Sequence, residues 1–128
     1  MLQLKFLKLE GLRGLSYAPR HIGDFDIWNY TFSRQPLRRA GAKQLPDDLW
    51  NHLVVYKRTD ETSNSLRLAY SKDRAFASGE LVVEEVNEKG NLLRTTAFKL
   101  RSIIIDKLES INGEDTIALK FQSMSVVG

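Results

Sequence analysis

LVVYKRTDETSNSLRLAY, residues Leu53 to Tyr70, decides the fold, because two structural periods meet inside it. Leu53, Val54, Val55 and Tyr56 form an apolar, β-prone run of the kind found in strands covered on both faces. Asp60, Thr62 and Ser63 then offer side-chain oxygens that can satisfy the free N–H groups of a starting helix. Leu66, Ala69 and Tyr70 follow at a spacing that puts all three on one helical face. A helix of roughly ten residues does not persist alone in water, so this face must dock on something. Everything on either side reads as strand and turn. The expectation is a mainly β protein with one flanking helix.

Working outward, the 128 residues predict a single domain, 1–128, able to bury roughly two-thirds of its unfolded surface. Apolar residues make up 42% and charged residues 27%, which excludes wholesale disorder. A net charge of +3 is weak support for a nucleic-acid partner. The chain has no cysteine, which excludes disulfides and thiolate metal sites. The opening MLQLKFLKLEGL interleaves apolar and charged residues, so it reads as a strand and not a signal peptide. No apolar run approaches the ~20 residues a membrane helix requires, and no membrane insertion is expected.

Leu2, Leu4 and Phe6 lie on one side of the first strand, and Leu7 and Leu9 on the other. Such a switch marks a bulge or a strand between two packed layers. Gly11 to Gly23 reads as loop. Phe25 to Ser33 repeats the switch, with Phe25 and Ile27 in one phase and Trp28, Tyr30 and Phe32 in the next. Two such strands predict a strongly curved sheet, as in a small barrel. Gln35 to Asp48 has no period and reads as an exposed loop. Later strands are expected at Ala75–Val86, Leu92–Leu100, Ser102–Leu108 and Thr116–Val126. Glu88 to Asn91 and Asn112 to Asp115 supply hairpin turns. Ile103, Ile104 and Ile105 are expected to be buried on both faces.

Catalytic constellations are thin. His21 and His52 are the only histidines, and neither belongs to a metal-binding spacing. Asp24 and Asp26 form a D-x-D that suits a divalent cation, although strand alternation alone explains them as solvent-facing. No catalytic residue, cofactor site or metal site is predicted. A second reading is a small basic β-barrel that binds single-stranded nucleic acid. Trp28, Tyr30 and Phe32 would stack on bases there, and Arg34, Arg38, Arg39 and Lys43 would grip phosphates. The plainer reading puts those rings in the core.

The order of elements resembles the haemolysin-coregulated proteins (Hcp), tube subunits of the bacterial type VI secretion system. Leu7-Lys8-Leu9-Glu10-Gly11-Leu12-Arg13-Gly14 is similar to that family's opening strand and glycine turn, and Phe25 to Ser33 to its second strand. Lys57, Asp60, Ser63 and Leu66 stand at the spacing of its strand–helix junction. Phe98-Lys99-Leu100 with Ile103 to Ile105, and Glu114 with Ile117 to Phe121, resemble its last two strands. The likeness runs from about Phe6 to Met124. It departs where Asn64 replaces proline, Tyr56 replaces threonine and Asp73 replaces a glycine after the helix.

The resemblance implies a curved two-sheet β-barrel with one flanking α-helix, Hcp-like or phage tail-tube-like. It implies a homo-hexameric ring stacking into a hollow tube, with sheath, spike and effector proteins as partners and nucleic acid not among them. The tube would assemble in the bacterial cytoplasm and then be secreted through the type VI apparatus. The loop bearing Arg34, Leu37, Arg38, Arg39 and Lys43 would project from one rim and contact the next ring.

Overall fold

The computed structural model describes residues 2–18, 20–33 and 51–128. The strands are β1 (Leu2–Leu9), β2 (Phe25–Ile27), β3 (Asn29–Ser33), β4 (His52–Arg58), β5 (Ala75–Val86), β6 (Leu92–Ile111) and β7 (Glu114–Val127); helix α1 (Ser63–Ser71) follows β4. All strand pairs are antiparallel and form one seven-stranded sheet in the order β2-β1-β5-β6-β7-β4-β3. The sheet is curled into a half-barrel around an apolar core that includes Leu7, Leu53, Leu81, Ile103, Ile117 and Leu119. The two expected sheets are two halves of this one sheet, made continuous by the 20-residue β6.

The phase switches have separate causes. In β1, Leu7 and Leu9 enter the core, while Phe6 is buried on the opposite face beneath the ring of His21. The strand therefore lies between two layers. The second switch corrects the expected single strand Phe25–Ser33. β2 pairs with β1, β3 pairs with β4, and only Trp28 separates them, so one stretch of chain joins the two edges of the sheet. Trp28 N donates to Tyr56 O at 2.9 Å where the chain changes edge. Phe25 and Ile27 are buried, Tyr30 and Phe32 pack partly buried on the core, and Trp28 is half exposed.

Two expected strands, Leu92–Leu100 and Ser102–Leu108, are one. Strand β6 bends through Ser102, at φ 56, and through a bulge at Asp106 between the pairs Ile105↔Leu119 and Lys107↔Ala118. The isoleucine run follows simple alternation, a further correction: Ile103 and Ile105 are buried, whereas Ile104 is 43% exposed. The expected turn Asn112–Asp115 is shorter: only Asn112 and Gly113 form it, at φ 53 and 82, the signs a hairpin of this twist demands, and Glu114 and Asp115 already belong to β7. At the other hairpin, Asn87 Oδ1 accepts the N–H groups of Lys89 and Asn91, both at 2.9 Å.

Helix α1 buries Ser63, Leu66 and Ala69, so its inner face runs at spacing three. Tyr70 falls on the flank and is 36% exposed, contrary to the expected trio. The helix ends where Arg74 N donates to Ala69 O at 2.9 Å and Asp73 takes φ 51. That left-handed residue is the usual place of glycine in this cap. We expect Asp73→Gly to raise the urea midpoint by up to about 1 kcal/mol of stability, the strain a side chain carries there. An unchanged or lower midpoint would show that Asp73 is unstrained. Leu66 is fully buried, and Leu66→Ala should lower stability by about 2–5 kcal/mol in the same assay.

Candidate functional site

The strand–helix junction read from the sequence is a closed polar cluster. The β4 alternation that sends Leu53 and Val55 inward sends Lys57 inward as well, leaving it 2% exposed. Its Nζ donates to Arg58 O at 2.7 Å, to Ser63 Oγ at 3.3 Å and to Asp115 Oδ2 at 3.3 Å. Asp60 Oδ1 stands 3.4 Å from the same ammonium. Asp60 also turns the chain into the helix: its Oδ1 accepts Thr62 N–H at 2.8 Å and the Thr62 hydroxyl. Asp60 N donates to Ser63 Oγ at 3.1 Å, and Ser63 Oγ donates to Asp115 Oδ2. Thr62 makes no side-chain cap, and the Asp60 and Ser63 oxygens take the amides of Thr62 and Asp60, just before the helix, in place of the helix N–H groups expected.

Lys57, Asp60 and Ser63, which the resemblance marked, come together here, with Leu66 one turn further on. Asp115, Thr59 and Ser110 were not singled out. Asp115 is fully buried and faces Lys57 directly across the β4–β7 ladder. Its Oδ1 accepts Thr59 Oγ1 at 2.8 Å and Ser110 Oγ at 2.5 Å. The available signal was register, because the Asn-Gly turn sets β6 on β7 and brings Ser110 opposite Asp115. Burial alone would raise the Asp115 carboxyl. Hydrogen bonds from Ser110, Ser63 and Thr59, together with the Lys57 ammonium, outweigh it and hold the pKa at about 2. Burial likewise opposes ionisation of Asp60, and Thr62 and Lys57 overcome it and lower its pKa. Ser63, Asp115 and Lys57 are all buried, and the cluster ties the end of β4 to the start of α1 and to β7.

The remaining candidates lie outside this cluster. His52 Nδ1 lies 3.1 Å from Ser33 Oγ, and its Nε2 lies 3.9 Å from Asp106. The second distance is too long for a hydrogen bond, so no Ser-His-Asp relay is assembled. Burial lowers the His52 pKa against the pull of Asp106, and Lys120 adds to the lowering. Asp24 bonds to His21 while Asp26 is exposed, and no cluster of three or more potential metal ligands occurs among the described residues. Phe32 packs against Phe98 at 5.0 Å and edge-on to Phe121 at 6.3 Å, which takes it out of any base-stacking platform. Arg34, Leu37, Arg38, Arg39 and Lys43 lie outside the described residues.

A depressed carboxyl contributes stability that is complete above its ordinary value and is lost as pH falls through its folded value. For Asp115 that window runs from 3.8 down to about 2. Acid titration of unfolding should therefore show a loss of stability across this range. Asp115→Asn should remove that contribution and, by leaving Lys57 buried without its main partner, cost about 3–5 kcal/mol at neutral pH. Equal acid sensitivity in the variant and the parent would mean that Asp115 is not the responsible group.

No protein-family model and no curated protein matches the chain. Solved structures do. Hcp1 from Salmonella typhimurium superposes with a TM-score of 0.78 at 17% identity, over 98% of this chain and 85% of that one. The Hcp1 protein of Escherichia coli EAEC 042, a double mutant, gives 0.72 at 14% identity, over 98% and 96%. The secreted protein Hcp3 from Pseudomonas aeruginosa gives 0.72 at 9% identity, over 98% and 97%. The chain has the fold of the Hcp proteins of type VI secretion systems.

Proposed function

We propose that this protein is a structural tube subunit of a type VI secretion apparatus, a contractile injection machine. Six copies of one Hcp-like domain, residues 1–128, close into a ring, and rings stack into a hollow tube that leaves the bacterial cytoplasm when the surrounding sheath contracts. Effectors travel inside, and sheath and spike proteins are the other partners. The observation that carries this reading is the match to Hcp1 from Salmonella typhimurium along 98% of the chain. It is supported by a strand-rich body with a single helix packed on it. Closed rings also suit an identical subunit with unlike edges, because a head-to-tail contact that closes needs no second interface.

Particle mass tests the ring. A hexamer weighs 6 × 14.6 = 87.6 kDa. Light scattering should give that mass, and negative-stain electron microscopy should show rings with a central pore. A mass near that of one chain across micromolar concentrations overturns the proposal. For stacking, the proposed element is the stretch with Arg34, Leu37, Arg38, Arg39 and Lys43, in which Leu37 anchors and the arginines meet acidic groups on the next ring. Leu37→Asp with Arg38→Glu and Arg39→Glu should leave rings intact and abolish tubes. Persisting tubes would remove the stretch from the stacking contact, and dissociated rings would assign it to the lateral contact.

A further inference from the structure

The bulge that bends β6 also helps to build a cleft on the face of the sheet turned away from the core. Alternation along β4 sends Leu53 and Val55 into the core and His52 and Val54 the other way. Along β7 it sends Ile117 and Leu119 inward and Thr116 and Ala118 outward. Register sets these side by side: Val54 pairs with Ala118, Ala118 with Lys107, and Thr116 with Glu109. Asp106 is the extra residue of the bulge, a device that re-aims a side chain, and its carboxylate reaches toward both His52 and Lys120. The cleft has a volume of about 300 Å³ and a floor of the small side chains Val54 and Ala118. That size is the lower end of the range for small-molecule sites.

The polar groups of the cleft are balanced in charge, and one of them is unfilled. Lys107 Nζ lies 3.1 Å from Glu109 Oε1 and Lys120 Nζ lies 3.5 Å from Asp106 Oδ1, so each ammonium has a carboxylate. His52 is 8% exposed and is held by Ser33 Oγ, 3.1 Å from its Nδ1. Burial lowers its pKa below 6.5, so the ring is predominantly neutral at pH 7. Its Nε2 stands 3.9 Å from Asp106 Oδ2, beyond hydrogen-bond length. The carboxylate on that side favours the tautomer with its proton on Nε2, and the Ser33 hydroxyl then donates to Nδ1. An oxygen about 2.8 Å from both Nε2 and Oδ2 would span the gap, accepting from the first and donating to the second. A hydroxyl does both. An ammonium cannot accept from Nε2, and an oxyanion would stand against the Asp106 carboxylate.

We propose that this cleft binds a neutral sugar ring. One hydroxyl of the ring bridges His52 Nε2 and Asp106 Oδ2, its C–H face lies on Val54 and Ala118, and Thr116 and Glu109 take hydroxyls at the opposite rim. Matched charges in the lining suit a ligand that carries none, and a flat apolar floor between polar rims suits a ring with hydroxyls at its edge. The cleft is built by one chain, so it is present with or without ring assembly.

The probes are glucose, galactose, mannose and N-acetylglucosamine, each titrated through the millimolar range into nitrogen-15-labelled protein. At least one should shift the amides of Val54, Asp106, Lys107, Thr116 and Ala118 along a saturating curve and leave those of β1 and β2 unmoved. Cyclohexanol, a ring with a single hydroxyl, should bind more weakly by about tenfold or more. So should the sugar to Asp106→Ala, since about tenfold is what loss of one hydrogen bond to a charged group costs. Ala118→Leu, which fills the floor, should abolish binding. No saturating shift with any of the four sugars overturns the site, as do saturating shifts confined to other parts of the chain. Equal affinity for cyclohexanol, or unchanged affinity in either variant, overturns it too. The sugar and cyclohexanol titrations of the parent decide the matter even if a variant fails to fold.

Discussion

The ammonium of Lys57 is the group around which the rest of the barrel end is arranged. Burying it and Asp115 removes two charges from water, a cost of several kcal/mol per ion that Coulomb attraction alone does not reliably offset. Here hydroxyls supply the difference. Ser63, Thr59 and Ser110 all donate to Asp115, and Lys57 also donates to a backbone carbonyl. The cluster ties together the end of β4, the start of α1 and the turn-proximal ends of β6 and β7. Its value is specificity. Slipping β4 by one residue on β7 would turn Lys57 to the outer face and leave Asp115 buried without its cation. One register and one helix position satisfy every member.

That constraint acts together with the curl of the open sheet. Strands β6 and β7 are long enough to serve two sets of neighbours, β5 and β1 on one side and β4 and β3 on the other. The sheet curls until its edge strands fall on one stretch of chain, with Trp28 between them. Irregular residues supply the curvature: left-handed Ser102 and the Asp106 bulge bend β6. Joining the two edge strands through the single residue Trp28 keeps them in fixed relation.

Polar side chains in this protein are engaged in holding elements together. The junction cluster is sealed inside, and His21, Glu84 and Arg20 hold a loop on the outside of the same sheet. His52 is oriented by Ser33 without a hydrogen-bonded carboxylate behind it. The chain shares its fold with Hcp structures at 17% identity or less.

Residues acting over a few positions were legible in the sequence. The helix after β4, its anchor Leu66 and a turn within Asn112 to Asp115 follow from local spacing and turn chemistry, whereas Lys57, Asp60 and Ser63 were marked as a set by the resemblance to the Hcp strand–helix junction. The switch in β1 was legible as well, since Phe6 and Leu7 can both be apolar only if both faces are covered. What lay beyond local reading depended on which strands become neighbours. Asp115 stands 58 residues from Lys57, and only the β4–β7 register makes them partners. The fused β6, the exposure of Ile104 and the change of edge at Trp28 likewise depend on pairing. Periodicity reports which way a side chain points, but not which strand lies beside it, and the distant contacts that complete this barrel are set by tertiary pairing alone.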